Sequence, residues 1–359
     1  MSRPKAGFLW SVIVNQSIFM ENYMSIYRSY PIRELHSEQI DAIHGLVFNG
    51  KIKYEYIKCI ICGASKYKIL FKNDCYGINQ QTVMCENCGL IYSNPRMSEE
   101  SAKYFYESDT YRKIYGGVMK LDRFKSDFER NYKIDMNKPN FEKYYPELFF
   151  NFINFHDISY NNVCEIGAGG GWNLLPFISI GKKVIGYEPS PLLCKLGRDT
   201  KNINMVNGFV NDIKGEYDLV ILKHVLEHFH NPICILSNLR DNIKTYLFIE
   251  VPGCISMIPK IQIAHNYYFS LNTLEAITSK AGFKKITMDY CRGNDYIFGL
   301  FEKTDIDVKN NYSASDEIKR TLRIYKWNQF RFLLSQFLKA SRLYPLAKYL
   351  KTVLLPTKN

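Results

Sequence analysis

Of the 359 residues, 46% are hydrophobic and 15% aromatic, which leaves room for two domains with buried cores and excludes a chain kept unfolded by polarity. The net charge of +12 admits anionic partners such as nucleic acid, phosphorylated molecules or an acidic membrane surface without selecting one, and a genome biased toward Lys, Ile, Asn, Tyr and Phe would account for part of it. The ten cysteines form one spaced cluster plus scattered residues rather than a disulfide framework, and no run reaches the roughly 18 apolar residues that span a bilayer, so a reducing, cytoplasmic setting is expected.

Residues 1–54 form an N-terminal extension without a motif. Gly7 to Val14, after Arg3 and Lys5, imitates the apolar part of a signal peptide, but Asn15-Gln16-Ser17 follows and no small-residue cleavage site does. Poor order or loose docking is expected here, with Met20 or Met24 as alternative starts.

Residues 55–97 contain two knuckles, Cys59-Ile-Ile-Cys62-Gly63 and Cys85-Glu-Asn-Cys88-Gly89, with 22 residues between them. Four sulfurs so spaced suit a closed tetrahedral zinc site, and Tyr67–Phe71 and Thr82–Met84 read as the strands of a zinc ribbon. With every ligand supplied by the protein, the metal would be structural. Redox pairs and a metal-free ribbon are the alternatives, and Cys75 stands apart as a bystander.

Residues 98–158 read as a helical linker, with helices starting at Ser98 and covering Asp122–Tyr132 and Glu142–Phe155. The dense aromatics from Tyr104 to Phe155 serve packing, with a cover over a ligand mouth as the second use.

In residues 159–304, strands and helices alternate. Strands are expected at Val163–Ile166, Lys183–Tyr187, near Asn204–Asn207, at Tyr217–Leu222 and at Tyr246–Val251, with helices at Trp172–Ile180, Pro191–Thr200, Val225–Phe229 and Ile233–Asn242. That pattern is an α/β fold with a doubly wound, Rossmann-like parallel sheet. A helix at Leu271–Ala281 and a terminal antiparallel hairpin, Phe283–Cys291 and Tyr296–Lys303, complete it.

The stretch Asn162-Val-Cys-Glu165-Ile-Gly167-Ala-Gly169-Gly170-Gly171-Trp172 is a strand followed by a glycine loop that lets the backbone approach a ligand, or else a structural turn. Its flanks decide between the readings. Trp172 occupies the third glycine position of the dinucleotide fingerprint, Glu165 stands two residues before the first glycine, and Glu188 ends the next strand, 17 residues beyond Gly171. Asp218 opens the fourth strand and His224-Val-Leu-Glu-His228 leaves it; Phe248-Ile-Glu-Val-Pro-Gly253 and Asn266-Tyr-Tyr-Phe-Ser270 follow.

On these motifs the chain resembles class I methyltransferases that use S-adenosylmethionine (SAM). From about residue 59 to 303 it is similar to the bacterial group with an N-terminal zinc ribbon, which includes nucleotide-sugar C-methyltransferases and enzymes of surface-polysaccharide pathways. The resemblance implies that SAM is held by Glu165, Gly167, Gly169, Gly171 and Glu188, with Phe209 or Asn211 beside the adenine. It implies a base at His265, with His224 and His228 behind it; those two either position their turn or line the site. Sugar C-methyltransferases carry Tyr-His-Glu-His where this chain has Gln262, Ile263, Ala264 and His265, and residues 305–359 after the hairpin are not expected to form their long C-terminal domain. O-methylation of a sugar nucleotide, glycan or other small-molecule acceptor is therefore expected, with C-methylation of a nucleotide sugar, or a non-catalytic binding or scaffold role, as alternatives.

Residues 305–359 form a basic helical tail. Lys319, Arg320, Arg323, Lys326, Arg331, Lys339, Arg342, Lys348 and Lys351 interleave with Leu322, Trp327, Phe330, Leu333, Leu334, Phe337 and Leu338, with a break near Pro345. Such a helix either lies on an anionic membrane, here the inner face, or docks its apolar stripe on the core or on another subunit. No nucleic-acid motif accompanies it.

Overall fold

The computed structural model describes residues 34–74, 78–107, 145–256, 261–291, 296–308 and 312–340. The signal-like stretch, Cys75, the helix expected at Asp122–Tyr132, the hairpin turn Arg292–Asp295 and the tail beyond Ala340 lie outside them. Helix α1 (Glu34–Phe48) and strand β1 (Tyr54–Glu55) precede the ribbon strands β2 (Tyr67–Asn73), β3 (Asn79–Cys85) and β4 (Ile91–Ser93). Strand β5 (Arg96–Met97) and helices α2 (Glu99–Glu107) and α3 (Tyr145–Phe155) lead to the second half. There follow β6 (Asn162–Ile166), α4 (Leu175–Ser179), β7 (Lys183–Glu188), α5 (Pro191–Lys201), β8 (Met205–Asn207), β9 (Tyr217–Lys223), α6 (Pro232–Leu239) and β10 (Ile243–Pro252). Strand β11 (Tyr267–Tyr268), α7 (Leu271–Lys280), the hairpin β12 (Phe283–Cys291) and β13 (Tyr296–Lys303), and α8 (Ala314–Ala340) complete the described chain.

The main sheet has the order β12-β13-β10-β9-β6-β7-β8. Strands β10, β9, β6, β7 and β8 are parallel, and β13 runs antiparallel to both neighbours. The chain steps outward from β6 to β7 and β8, then returns to β9 on the other side of β6. Ligands bind at such a switch point, beyond the carboxyl ends of the strands. Alternate residues of β9 serve opposite cores, as a two-residue period dictates. Leu219 and Ile221 pack with Phe149 and Ile153 of α3, whereas Val220 and Leu222 join Leu236 of α6 and Ile277 of α7.

The sequence reading of the second half differs mainly at its first helix, which is a 3-10 turn at Trp172–Leu174 followed by the short α4 with Pro176 in its opening turn. Helix α7 starts on a reciprocal cap between Ser270 and Thr273 and ends at Gly282. Larger differences lie outside. Residues 55–97 are not a separate small sheet: β4 pairs with β11, Tyr92 opposite Tyr267 and Ile91 opposite Tyr268, so the stretch before α7 is the ribbon's fourth strand. Nor is the extension loose throughout, because Ile43 of α1 is fully buried with Ile52, Met97, Phe105 and Ile263. The tail docks by its first turns. Tyr312 donates to the carbonyl of Cys88, Glu317 accepts from Asn272, and Tyr325 stands edge-on to Phe71 and donates to the Leu70 carbonyl. Among the described residues no helix is long and apolar enough to cross a membrane.

Candidate active site and four-cysteine cluster

After β6 the backbone turns through Gly167 (φ 70°) and Gly169 (φ 56°), left-handed conformations in which a side chain would be strained. A Cβ on Gly167 would lie 2.5 Å from Val225 Cγ2, so the loop touches the turn that follows β9. Glu188, buried at the end of β7, is drawn to the same loop: Oε2 accepts from Gly169 N at 3.0 Å and Oε1 from Ser190 N at 2.9 Å. Gly171 (φ 77°) shares that left-handed conformation, and a Cβ on it would also meet Ile203 and Met205. Phe209, just after β8, is 42% exposed on the rim, and Asn211 lines a shallow pocket with Ile235 and Asn238. Asp218 ties the start of β6 to β9 by accepting from Asn161 N and Asn162 N at 2.8 and 2.9 Å.

A buried polar chain runs beneath this loop, and several of its members escaped the sequence reading. Asn173 Nδ2 donates to Glu165 Oε1 at 2.7 Å, and Lys223 Nζ lies 3.4 Å from Asn173 Oδ1 and 3.7 Å from Glu250 Oε2. His224 continues it, with Nε2 3.1 Å from Glu250 Oε1 and Nδ1 3.6 Å from Glu227 Oε1. Lys223, Glu227 and Glu250 were legible as lone charges in the apolar strings Leu219–Lys223, Val225–His228 and Phe248–Val251. Burial pushes the Glu165 carboxyl up to about 8, although the Asn173 bond and the Lys223 charge oppose it. Its Oε2 is buried and accepts no hydrogen bond among the described residues, which leaves it suited to a cationic group. Burial would lower the His224 imidazolium, but the carboxylates of Glu227 and Glu250 beside it outweigh that and hold it at about 9. His224 also has φ 56° and meets Tyr296 edge-on with ring centres 5.0 Å apart.

The third part of the site is where the two sheets meet. His228 Nδ1 is 2.9 Å from the Ala264 carbonyl oxygen and 2.8 Å from the Tyr106 hydroxyl of α2. The rings of His228 and His265 lie 4.8 Å apart, and His265 is only 5% exposed. Glu227 is wholly buried beside them. Burial would raise its carboxyl, but His224 and the imidazoles of His228 and His265 bring it down to about 2. Ribbon residues hold this corner. Ser93 Oγ donates to the His265 carbonyl, Ser93 N to the Asn266 carbonyl, and Arg96 donates to the His230 carbonyl and the Tyr267 hydroxyl. Asn266 in turn donates to the His228 carbonyl at 2.7 Å. The fold thus brings His228 and His265 together, while His224 lies between the carboxylates of Glu227 and Glu250.

Cys59, Cys62, Cys85 and Cys88 converge, with every sulfur within 4.8 Å of the others, 3.4 Å for Cys59 to Cys88 and 3.5 Å for Cys62 to Cys85. Four thiolates about 2.3 Å from a tetrahedral zinc stand roughly 3.8 Å apart, so the donor set fits. Both knuckles close alike: Gly63 N donates to Cys59 O and Gly89 N to Cys85 O, and Asn87 N donates to Cys85 Sγ. Hydrogen bonds among the crowded sulfurs draw the Cys85 thiol down and push Cys59 up, each chiefly through the other. Such crowded sulfurs ionise together only around a cation.

A family described as a methyltransferase domain matches residues 141–288. Among solved structures, the chain is similar to 1,6-didemethyltoxoflavin-N1-methyltransferase from Burkholderia thailandensis at 14% identity, covering 63% of this chain and 96% of that one, with a TM-score of 0.43. It is also similar to magnesium protoporphyrin IX methyltransferase from Synechocystis PCC 6803 at 16% identity, covering 56% and 98%, with a TM-score of 0.40. No curated protein matches the chain. The sheet order, the glycine loop with its two acids and the family match make residues 141–288 a SAM-dependent methyltransferase domain with the class I fold.

Proposed function

We propose that the protein methylates a hydroxyl oxygen of a sugar nucleotide, glycan or similar small acceptor in surface-polysaccharide synthesis. The observation that carries this reading is the Glu227–His228–His265 cluster at the edge of the sheet, joined through Val225 to the cofactor loop. Bound SAM supplies a methyl group already activated on sulfonium sulfur. Glu188 holds the ribose hydroxyls, Glu165 faces the ammonium end directly or through water, and Gly167 and Gly169 let the backbone come close. Phe209 or Asn211, just after β8, flanks the adenine, with the exposed Phe209 ring the better placed because Asn211 faces Ile235 and Asn238 around α6. The chain's remaining tasks are to align the hydroxyl, exclude water and assist loss of its proton. His265 and His228 serve the last task. His224, a cation at neutral pH between Glu227 and Glu250, positions the turn.

In this reading Cys59, Cys62, Cys85 and Cys88 hold a structural zinc. The exposed Trp327, Phe330 and Leu334 of α8, flanked by Lys319, Arg323 and Lys326, meet the anionic inner face of a membrane from the cytoplasm. Incubation with isotopically labelled SAM and extracts of cell-surface glycan precursors tests the activity. Label is expected in an O-methyl ether and is expected to fall about 10² to 10⁴-fold with His265→Asn, at nearly unchanged SAM affinity by calorimetry. Label on carbon, or none in any acceptor, would reject the reading.

A further inference from the structure

Glu227 lies wholly inside the protein, and neither carboxylate oxygen accepts a hydrogen bond among the described residues. Its nearest nitrogens, His224 Nδ1 at 3.6 Å and His228 Nε2 at 3.9 Å, are beyond hydrogen-bond length. A buried carboxylate in that condition is costly and calls for a further counter-charge, because the His224 imidazolium beside it also serves Glu250.

Two imidazoles stand at the right place to share one. The Ala264 carbonyl can only accept, so Nδ1 of His228 carries the hydrogen in their 2.9 Å bond. On a neutral ring the Nε2 lone pair is then directed to the Glu227 side, the tautomer arrangement by which proteins present histidine to metals. The ring of His265 is packed 4.8 Å from that of His228. One ligand atom from each of Glu227, His228 and His265 falls within 4.8 Å of the other two. Ligands about 2.1 Å from a tetrahedral ion stand roughly 3.4 Å apart, a contraction that small side-chain rotations deliver.

We propose that Glu227, His228 and His265 form a second metal site, for a first-row divalent cation such as zinc, distinct from the four-cysteine cluster. Two nitrogens and one carboxylate oxygen leave a coordination position open, unlike four thiolates. That position takes an oxygen donor, and its assignment to the acceptor hydroxyl rests on the O-methylation reading above, the two imidazoles then assisting proton loss through the cation rather than as free bases. The cation site itself does not.

Cobalt(II) titration of the full chain separates the two sites, because thiolate ligation gives an intense charge-transfer band that nitrogen and oxygen ligands lack. The expected result is one equivalent bound without that band, lost in Glu227→Gln and in His265→Asn, beside one equivalent that shows the band and is kept in both variants. Where a variant fails to fold, paramagnetically shifted ring protons from two histidines in the wild-type protein decide the question. Absence of the band-free equivalent from wild type, its persistence in both ligand variants, or unshifted imidazole protons would overturn the proposal. Calorimetry with SAM on the same samples reports the methyltransferase reading independently.

Discussion

The Ser93 hydroxyl donates a 2.7 Å hydrogen bond to the carbonyl oxygen of His265, joining the last ribbon strand to the histidine at the sheet edge. Gln80 Nε2 donates to the same hydroxyl at 2.7 Å, and all three residues are buried. The ribbon therefore acts as a wall of the site.

Ser93→Ala leaves a buried carbonyl and a buried amide without their partner, which costs about 1–3 kcal/mol. Urea unfolding is expected to show that loss, and turnover to fall while SAM affinity stays within about twofold, since the cofactor loop is built from β6 and β7. A SAM affinity that fell as far as turnover would mean that the ribbon supports the whole domain rather than this corner.

Glu165 sets a pH dependence. An unfolded carboxyl loses its proton near 4.5 and this one near 8, so the folded state binds the extra proton between those values. Stability from this group is complete below about 4.5 and is lost as pH rises through about 8. Glu165→Gln is expected to flatten the curve over that window in thermal unfolding. A cationic group beside Glu165 favours its ionised form, so SAM affinity is expected to rise as pH approaches 8, with protons released at pH 7. Calorimetry in buffers of different ionisation enthalpy measures the release, and the same count in Glu165→Gln would assign it elsewhere.

The main sheet was legible because its central strands β6, β9 and β10 are largely apolar runs of five to ten residues, and because Glu165, the glycines and Glu188 follow one another at short range. What stayed hidden depends on contacts distant in sequence. The pairing of Tyr92 with Tyr267 leaves no local trace, since two strand-like residues before a capping serine look like any loop entering a helix. Glu227 and Glu250 read as punctuation in apolar strings, and only the fold shows that His224 lies between them. Helix α1 was missed because its polar residues mask the contribution of Ile43, which depends on Phe105 and Ile263.

Gly167→Ala tests the contact between the loop and the turn after β9. The positive φ and the 2.5 Å approach to Val225 Cγ2 together are expected to cost about 2–4 kcal/mol. Val225→Ala in the same chain is expected to recover the steric share and leave the backbone strain. A double-mutant cycle by denaturant unfolding reads the coupling, and strict additivity would show that the contact relaxes without cost.

Glu188→Ala removes two anchors at once, since the carboxylate accepts from Gly169 N and Ser190 N. SAM affinity is expected to drop at least tenfold by calorimetry, with about 1.5–3 kcal/mol for each charged hydrogen bond to the ribose. Glu188→Gln keeps an acceptor for one amide and is expected to fall between the alanine variant and wild type. Unchanged affinity in the alanine variant would remove Glu188 from the cofactor site.

Stripping the proposed zinc from the four cysteines is expected to act at a distance. Cys85 and Cys88 flank the turn between β3 and β4, and β4 carries both the pairing to β11 and the Ser93 bond to His265. The front of α8 leans on the same knuckle, with Tyr312 bonded to the Cys88 carbonyl and the Glu317 side chain where a Cβ on Gly89 would fall. Cys62→Ser, at the exposed ligand, is therefore expected to loosen ribbon and tail together. Hydrogen exchange should show lost protection in β3, β4, β11 and the first turns of α8, with β6, β7 and β9 protected as before. Turnover should fall much further than SAM affinity. Loss of protection confined to residues 55–97 would show that β11 and α8 hold their places without the ribbon, and the site would then owe its geometry to the main sheet alone.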